Sequence, residues 1–200
     1  MPAHEPAQFI SRILDVIEGD IVPLTGRGVA RGDKVFGAAI ILKKDFSLVV
    51  AATNNETVNP LFHGEVATIN AFHAIPAAER PASRACYFIS THEPCSLCLS
   101  AITWAGFDNF IYLFGYADTR DAFNIPHDLK ILQEVFGIQD GQYARRNAYW
   151  TSQSLAGMIE DCAEPNRTEL AARVAAIAAI YDDMSGIYQA SKGGDTIPLA

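Results

Sequence analysis

Tryptophan occurs twice in the 200 residues, methionine three times and cysteine four times, and 15 Lys plus Arg face 23 Asp plus Glu. Four cysteines, at 86, 95, 98 and 162, do not make a disulfide framework in a chain of this length, since two of them are taken up by one Cys-x-x-Cys. A net charge of −8 and a pI near 5.0 disfavour a non-specific polyanion partner, whose binding rests on clustered positive charge. The basic pairs Lys43-Lys44 and Arg145-Arg146 are short and read as solvated surface. A nucleic-acid partner is therefore not expected. No apolar run approaches the ~18–20 residues needed to span a bilayer, so no membrane segment is expected either. The opening Met-Pro-Ala-His-Glu-Pro lacks a basic region followed by an apolar core. A reducing cytoplasm is the expected setting.

What is present suffices for one sizeable core: half of the residues are hydrophobic, and at 19% charged the chain is not disordered wholesale. Phe9, Ile10, Ile13, Leu14 and Ile17 fall at helical spacing and predict an amphipathic helix over roughly 6–18. The run Gly26 to Gly32 reads as a loop. Val35 to Leu42 is nearly continuously apolar, as in a strand buried on both faces, and Ser47 to Ala52 returns as the second arm of a hairpin. Further alternation follows: a helix from His63 to Pro76, a strand over 85–90, a helix over about 95–105 and a strand over 109–114. This order predicts an α/β fold with a mixed sheet. Beyond it, Leu129 to Phe136 suggests a short helix. A longer one should start with Asn166 as N-cap and Glu169 three residues on, and carry Leu170, Val174, Ile177, Tyr181 and Met184 on one face.

The chemistry concentrates in two short motifs, His63-Gly64-Glu65 and Pro94-Cys95-Ser96-Leu97-Cys98. One imidazole and two thiols make three metal ligands and leave a fourth tetrahedral position open. Structural zinc sites are usually closed, whereas catalytic ones keep a place for water. Both ligand groups fall at predicted helix N-termini, where unpaired N–H groups and the helix dipole favour thiolate. Glu65 lies two residues from the first ligand, within reach of whatever fills the open position. A Cys-x-x-Cys alone would also suit a thiol redox motif or half of a zinc knuckle, and a closed structural site could recruit His92 or the more distant Cys86. Joined to His-x-Glu, the pair forms the signature of zinc deaminases, in which the acid serves as general acid–base and not as a ligand.

On these residues the chain resembles the cytidine deaminase-like superfamily over roughly residues 30–130. Glu93-Pro94-Cys95-Ser96-Leu97-Cys98-Leu99-Ser100-Ala101-Ile102-Thr103-Trp104-Ala105 is similar to the second motif of bacterial guanine deaminases. His63-Gly64-Glu65-Val66-Ala67-Thr68 looks more like the first motif of fungal cytosine deaminase. The resemblance implies a three-layer α/β/α sandwich around a five-stranded mixed sheet, with zinc on His63, Cys95 and Cys98 and with Glu65 as catalytic acid–base. It implies hydrolytic release of ammonia from a free nucleobase or similar aminated heterocycle, a guanine-type purine ahead of cytosine. Deamination of adenosine in transfer RNA and a non-catalytic zinc protein are the alternatives. By the same resemblance Asn54, with Asn55 next, should hydrogen-bond the ring and Trp104 should stand against the base. Asp128, with Asp118 and Asp121 as rivals, should contact substrate. His92 and Phe62 depart from the common pattern and point to another substrate, and His92 is a further candidate contact. The catalytic domain should span 1–160. A helical extension over 161–200 should pack on it or on a partner subunit, because the family commonly forms homodimers.

Overall fold

A computed structural model describes residues 6–121, 126–191 and 197–199. The N-terminal helix α1 (Pro6–Val16) buries Ile10, Ile13 and Leu14, the stripe that the helical spacing predicts. It does not end in a loop. A π-helical turn, Ile17–Ile21, passes straight into α2 (Val22–Val29), so the expected loop at Gly26 is helical as far as Val29. The reason is packing: a Cβ on Gly28 would lie 3.3 Å from Thr53 Cγ2 and 3.6 Å from the Asn54 carbonyl oxygen. Glycine there lets α2 close onto the chain leaving the second strand, which outweighs its low helix propensity.

The hairpin is β1 (Gly37–Leu42) and β2 (Leu48–Thr53), followed by α3 (Gly64–Ala74), β3 (Cys86–His92), α4 (Ser96–Trp104) and β4 (Asn109–Phe114). After these come α5 (Tyr116–Asp121), α6 (His127–Phe136), β5 (Thr151–Ser154), α7 (Leu155–Glu160) and α8 (Asn166–Ser191). The sheet order is β2-β1-β3-β4-β5, antiparallel from β2 through β1 to β3 and parallel from β3 through β4 to β5. It is the five-stranded mixed sheet of the expected α/β/α sandwich. Successive residues of a strand serve opposite faces. Ala39 and Ile41 of β1 join a core with α1, α7 and α8, while Ala38 and Ile40 join a second core with Phe72 of α3 and Ile102 of α4.

Helix α8 buries Leu170, Ile177, Tyr181 and Met184 against its own chain, and Arg173 ties it to α1 through Asp15, Ser11 and the following Glu18. Asn166, expected as its N-cap, is already helical; the Glu164 carboxylate instead accepts from the Thr168 N–H at 3.2 Å. No helix among the described residues is long and apolar enough to cross a membrane.

The start of α3 lies unusually close to the sheet. A Cβ on Gly64 would fall 2.8 Å from Gly37 Cα, 2.8 Å from the Phe36 carbonyl oxygen and 2.9 Å from Gly37 N. These are backbone atoms that cannot rotate away. Gly64→Ala is therefore expected to cost about 1–3 kcal/mol, the usual range for overpacking, and to lower the urea midpoint. An unchanged midpoint would contradict this close approach.

Candidate metal centre and cleft

His63 is the N-cap residue of α3 and Cys95 that of α4, and neither side chain caps its own helix. The buried N–H of Gly64, at the start of α3, is instead taken by Asn54 Oδ1 in a short hydrogen bond. The imidazole and the Cys95 thiol turn toward a common point, and Cys98, in the first turn of α4, faces the same way. Cys95 Sγ lies 3.4 Å from His63 Nδ1 and 3.6 Å from Cys98 Sγ, and Cys98 Sγ lies 3.8 Å from the same nitrogen. Tetrahedral zinc, with bonds of ~2.3 Å to sulfur and ~2.0–2.1 Å to nitrogen, needs about 3.8 Å between sulfurs and about 3.6 Å from sulfur to nitrogen. The donor set therefore fits zinc. Among the described residues these three form the one cluster of His, Cys and acidic side chains suited to a metal.

Glu65, in the first turn of α3, is 4% exposed and points at the same place. Its Oε2 lies 3.1 Å from Cys98 Sγ and its Oε1 2.8 Å from Ser90 Oγ. Ser90 Oγ is also 2.6 Å from the His92 carbonyl oxygen, which can only accept. The single hydroxyl proton can serve one of these neighbours at a time. With that proton on the carbonyl, Ser90 accepts from a protonated Glu65; with it on the carboxylate, Ser90 steadies the ionised form. Either way the acid is held in place across a proton transfer.

The electrostatics favour a cation. The hydrogen bond from Cys98, helped by His63, draws the Cys95 thiol well below its usual range, while burial and the Cys95 charge hold the Cys98 thiol up. Burial alone would lower His63, but the Cys95 thiolate, Glu56 and Glu65 outweigh it and raise the imidazole to about 9. Burial first, then the Cys95 charge, raises Glu65. A divalent ion among these groups would replace their protons.

The centre opens into a small cleft lined by Phe36, His63, Glu65, His92, Glu93, Cys95 and Asp128. Two candidate substrate contacts, His92 and Asp128, thus share it with the metal cluster. His92 is buried, its Nδ1 is 2.9 Å from Thr91 Oγ1, and burial lowers it to about 3, so the ring is neutral. Asp128 of α6 is pushed up to about 8 by burial and by the negative charges of Cys95 and Glu65. Its rivals are engaged elsewhere, Asp118 with the Gly115 N–H and Asp121 with Arg120. Asn54 is not among the cleft-lining residues; it is fully buried between Gly64 and Glu56. Trp104 is 91% exposed at the end of α4 and does not line the cleft of this chain.

Residues 25–114 match the family model of the cytidine and deoxycytidylate deaminase zinc-binding region. A zinc-binding region of the cytidine and deoxycytidylate deaminase type therefore spans this part of the chain. Its cofactor is zinc, and His63, Cys95 and Cys98 stand where they could hold it. No curated protein matches the chain by sequence. Similar solved structures include a guanine deaminase from Nitrosomonas europaea at 19% identity, covering 85% of this chain and 84% of that one with a TM-score of 0.47. A guanine deaminase from Bacillus subtilis is 24% identical, with 75% and 85% covered and a TM-score of 0.49. A deaminase of A34 in transfer RNA is 21% identical, with 66% and 93% covered and a TM-score of 0.43. Likeness at these levels says nothing of what this chain acts on.

Sequence reasoning missed Ser90, Glu56 and Phe36 at this site. Ser90 had a usable signal, since a polar residue in the buried strand β3 needs a partner; Glu56 sat unremarked in a polar loop.

Removing one thiolate should disable the centre. Cys98→Ser is expected to lose bound zinc on dialysis against a mild chelator, read as metal content per chain by atomic emission. Retention of zinc equal to the parent's would contradict the assignment of this ligand.

Proposed function

We propose that His63, Cys95 and Cys98 hold the zinc, that Glu65 is the general acid–base, and that the protein hydrolytically deaminates a free nucleobase or similar small aminated heterocycle. The observation that carries this reading is Glu65 itself: a buried carboxyl aimed at a three-donor centre has no use in a closed structural site. When bound, zinc lowers the pKa of water toward ~7 and so supplies a nucleophile at neutral pH. The chain's own part is positioning and proton transfer. Glu65 Oε2 lies beside the open side of the cluster, where it takes a proton and returns it to the departing amine. Ser90 keeps the carboxyl aligned through both halves of that exchange.

The cleft beside the centre offers both polar and apolar groups to a ring. Asp128 and the neutral His92 supply polar groups for the ring edge, and Phe36 supplies an apolar wall. A guanine-type purine is preferred over cytosine on the similarity of the 93–105 motif to guanine deaminases. Asn54 enters this reading through Gly64 and Glu56. A transfer-RNA substrate gains nothing from a net charge of −8. The same reading includes a catalytic domain over 1–160 with the 161–200 extension, a cytoplasmic setting, and a homodimer to which the exposed Trp104 is available.

A screen for ammonia release across aminopurines, aminopyrimidines, nucleosides and pterins tests it, and silence across the whole panel of zinc-loaded protein would overturn it. On the active substrate, Glu65→Gln should keep zinc and lower kcat by about 10²–10⁴-fold, as for loss of a general acid–base. Ser90→Ala should lower kcat by about tenfold or more, the worth of a hydrogen bond to a charged group. Zinc loss from Glu65→Gln would instead make the acid structural.

A further inference from the structure

Glu56 lies seven residues before His63 in the chain, in the loop that leads to α3, and is 2% exposed. A carboxylate so deeply buried must be paired or hydrogen-bonded. Both of its oxygens are used. Oε2 accepts from Asn54 Nδ2 at 2.5 Å, and Oε1 accepts from Lys34 Nζ at 3.0 Å. Lys34 is buried as well, and Asn54 is fixed in turn by the Gly64 N–H. The Oε1 atom held by Lys34 lies 3.6 Å from His63 Nε2, on the far side of the ring from the thiols, which face Nδ1. The imidazole thus stands between a fixed carboxylate and the two sulfurs.

We propose that Glu56 is a positioning residue for the metal: its carboxylate holds His63 with a proton on Nε2, so that Nδ1 keeps its lone pair toward Cys95 and Cys98. This rests on the reading of His63 as a ligand. At 3.6 Å the pair is an ion-pair contact longer than an N–H···O bond, and the hydrogen bond is the one proposed for the metal-bound ring. A ligand imidazole whose other nitrogen donates to a carboxylate is fixed in tautomer and orientation and is a better donor, and losing that partner typically costs 10–100-fold in metal affinity. Lys34 and Asn54 are the rigid frame that keeps Glu56 in place. A buried Lys–Glu pair could serve folding alone, and the two roles make different predictions for zinc.

The test is zinc affinity of the full chain, measured by competition with a chromogenic chelator, with the apo fold followed by circular dichroism. Glu56→Gln keeps the shape and removes the charge. The paired change Lys34→Met with Glu56→Leu removes both buried charges together, a replacement often neutral for stability, and leaves only the neutral Asn54 Nδ2 without its acceptor. Both proteins are expected to fold and to bind zinc about 10–100-fold more weakly than the parent. A folded variant of either kind with zinc affinity within threefold of the parent's would overturn the proposal and leave the metal centre standing. A parent chain that binds no zinc would remove the centre itself and this role with it.

Discussion

The first turn of α3 rests on bare backbone. Gly64 meets Gly37 and the Phe36 carbonyl at distances that no Cβ could tolerate, and His63 and Glu65 flank that contact on either side. His63 and Glu65 are therefore placed by β1, through the most rigid kind of contact a protein has. The second half of the centre is placed by the neighbouring strand: β3 ends at His92, and Glu93-Pro94 delivers Cys95 to the start of α4. Because β1 and β3 are paired along five residues, the separation of the two helix starts is fixed by sheet geometry. Seating α4 or α3 a few tenths of an ångström differently would alter every distance among His63, Cys95 and Cys98.

The same compactness gathers negative charge. Cys95 as thiolate, Cys98, Glu65, Glu56 and Asp128 lie around one imidazole, with Lys34 as the buried counter-charge on the far side. Without a cation the cluster resolves this by holding protons: His63 is raised, Glu65 is raised and Cys98 stays a thiol. A divalent ion bound here would take over that duty. Burial and metal binding are in this sense one arrangement, because the desolvation that makes the charges costly also makes the ion's attraction strong.

Legibility in the sequence followed how local each signal was. That His63, Glu65, Cys95 and Cys98 come together could be read because a fixed spacing at a helix start is a property of a few adjacent residues. The continuous apolar run of β1 was equally plain, since Ala38 and Ile40 face one core and Ala39 and Ile41 the other. Helix α2 was hidden by its glycines, of which Gly28 serves a contact with Thr53 and Asn54 about 25 residues away. Strand β5, Thr-Ser-Gln-Ser, has no apolar pattern to read, because a short polar edge strand gains its place from pairing with β4 and from Trp150 beside it. Glu56 escaped notice for a similar reason: its partner Lys34 precedes it by 22 residues. Asp128 was reached by resemblance alone, and the same resemblance put Trp104 against the base, whereas in this chain it faces outward.

Two sulfurs and one imidazole nitrogen are proposed to hold a zinc ion with one position left for a light atom. X-ray absorption at the zinc edge of the metal-loaded protein measures this directly. The account predicts two scatterers at ~2.3 Å and two nitrogen or oxygen atoms at ~2.0–2.2 Å. A shell of three or four sulfurs, which would require Cys86 or Cys162 to join, would contradict it.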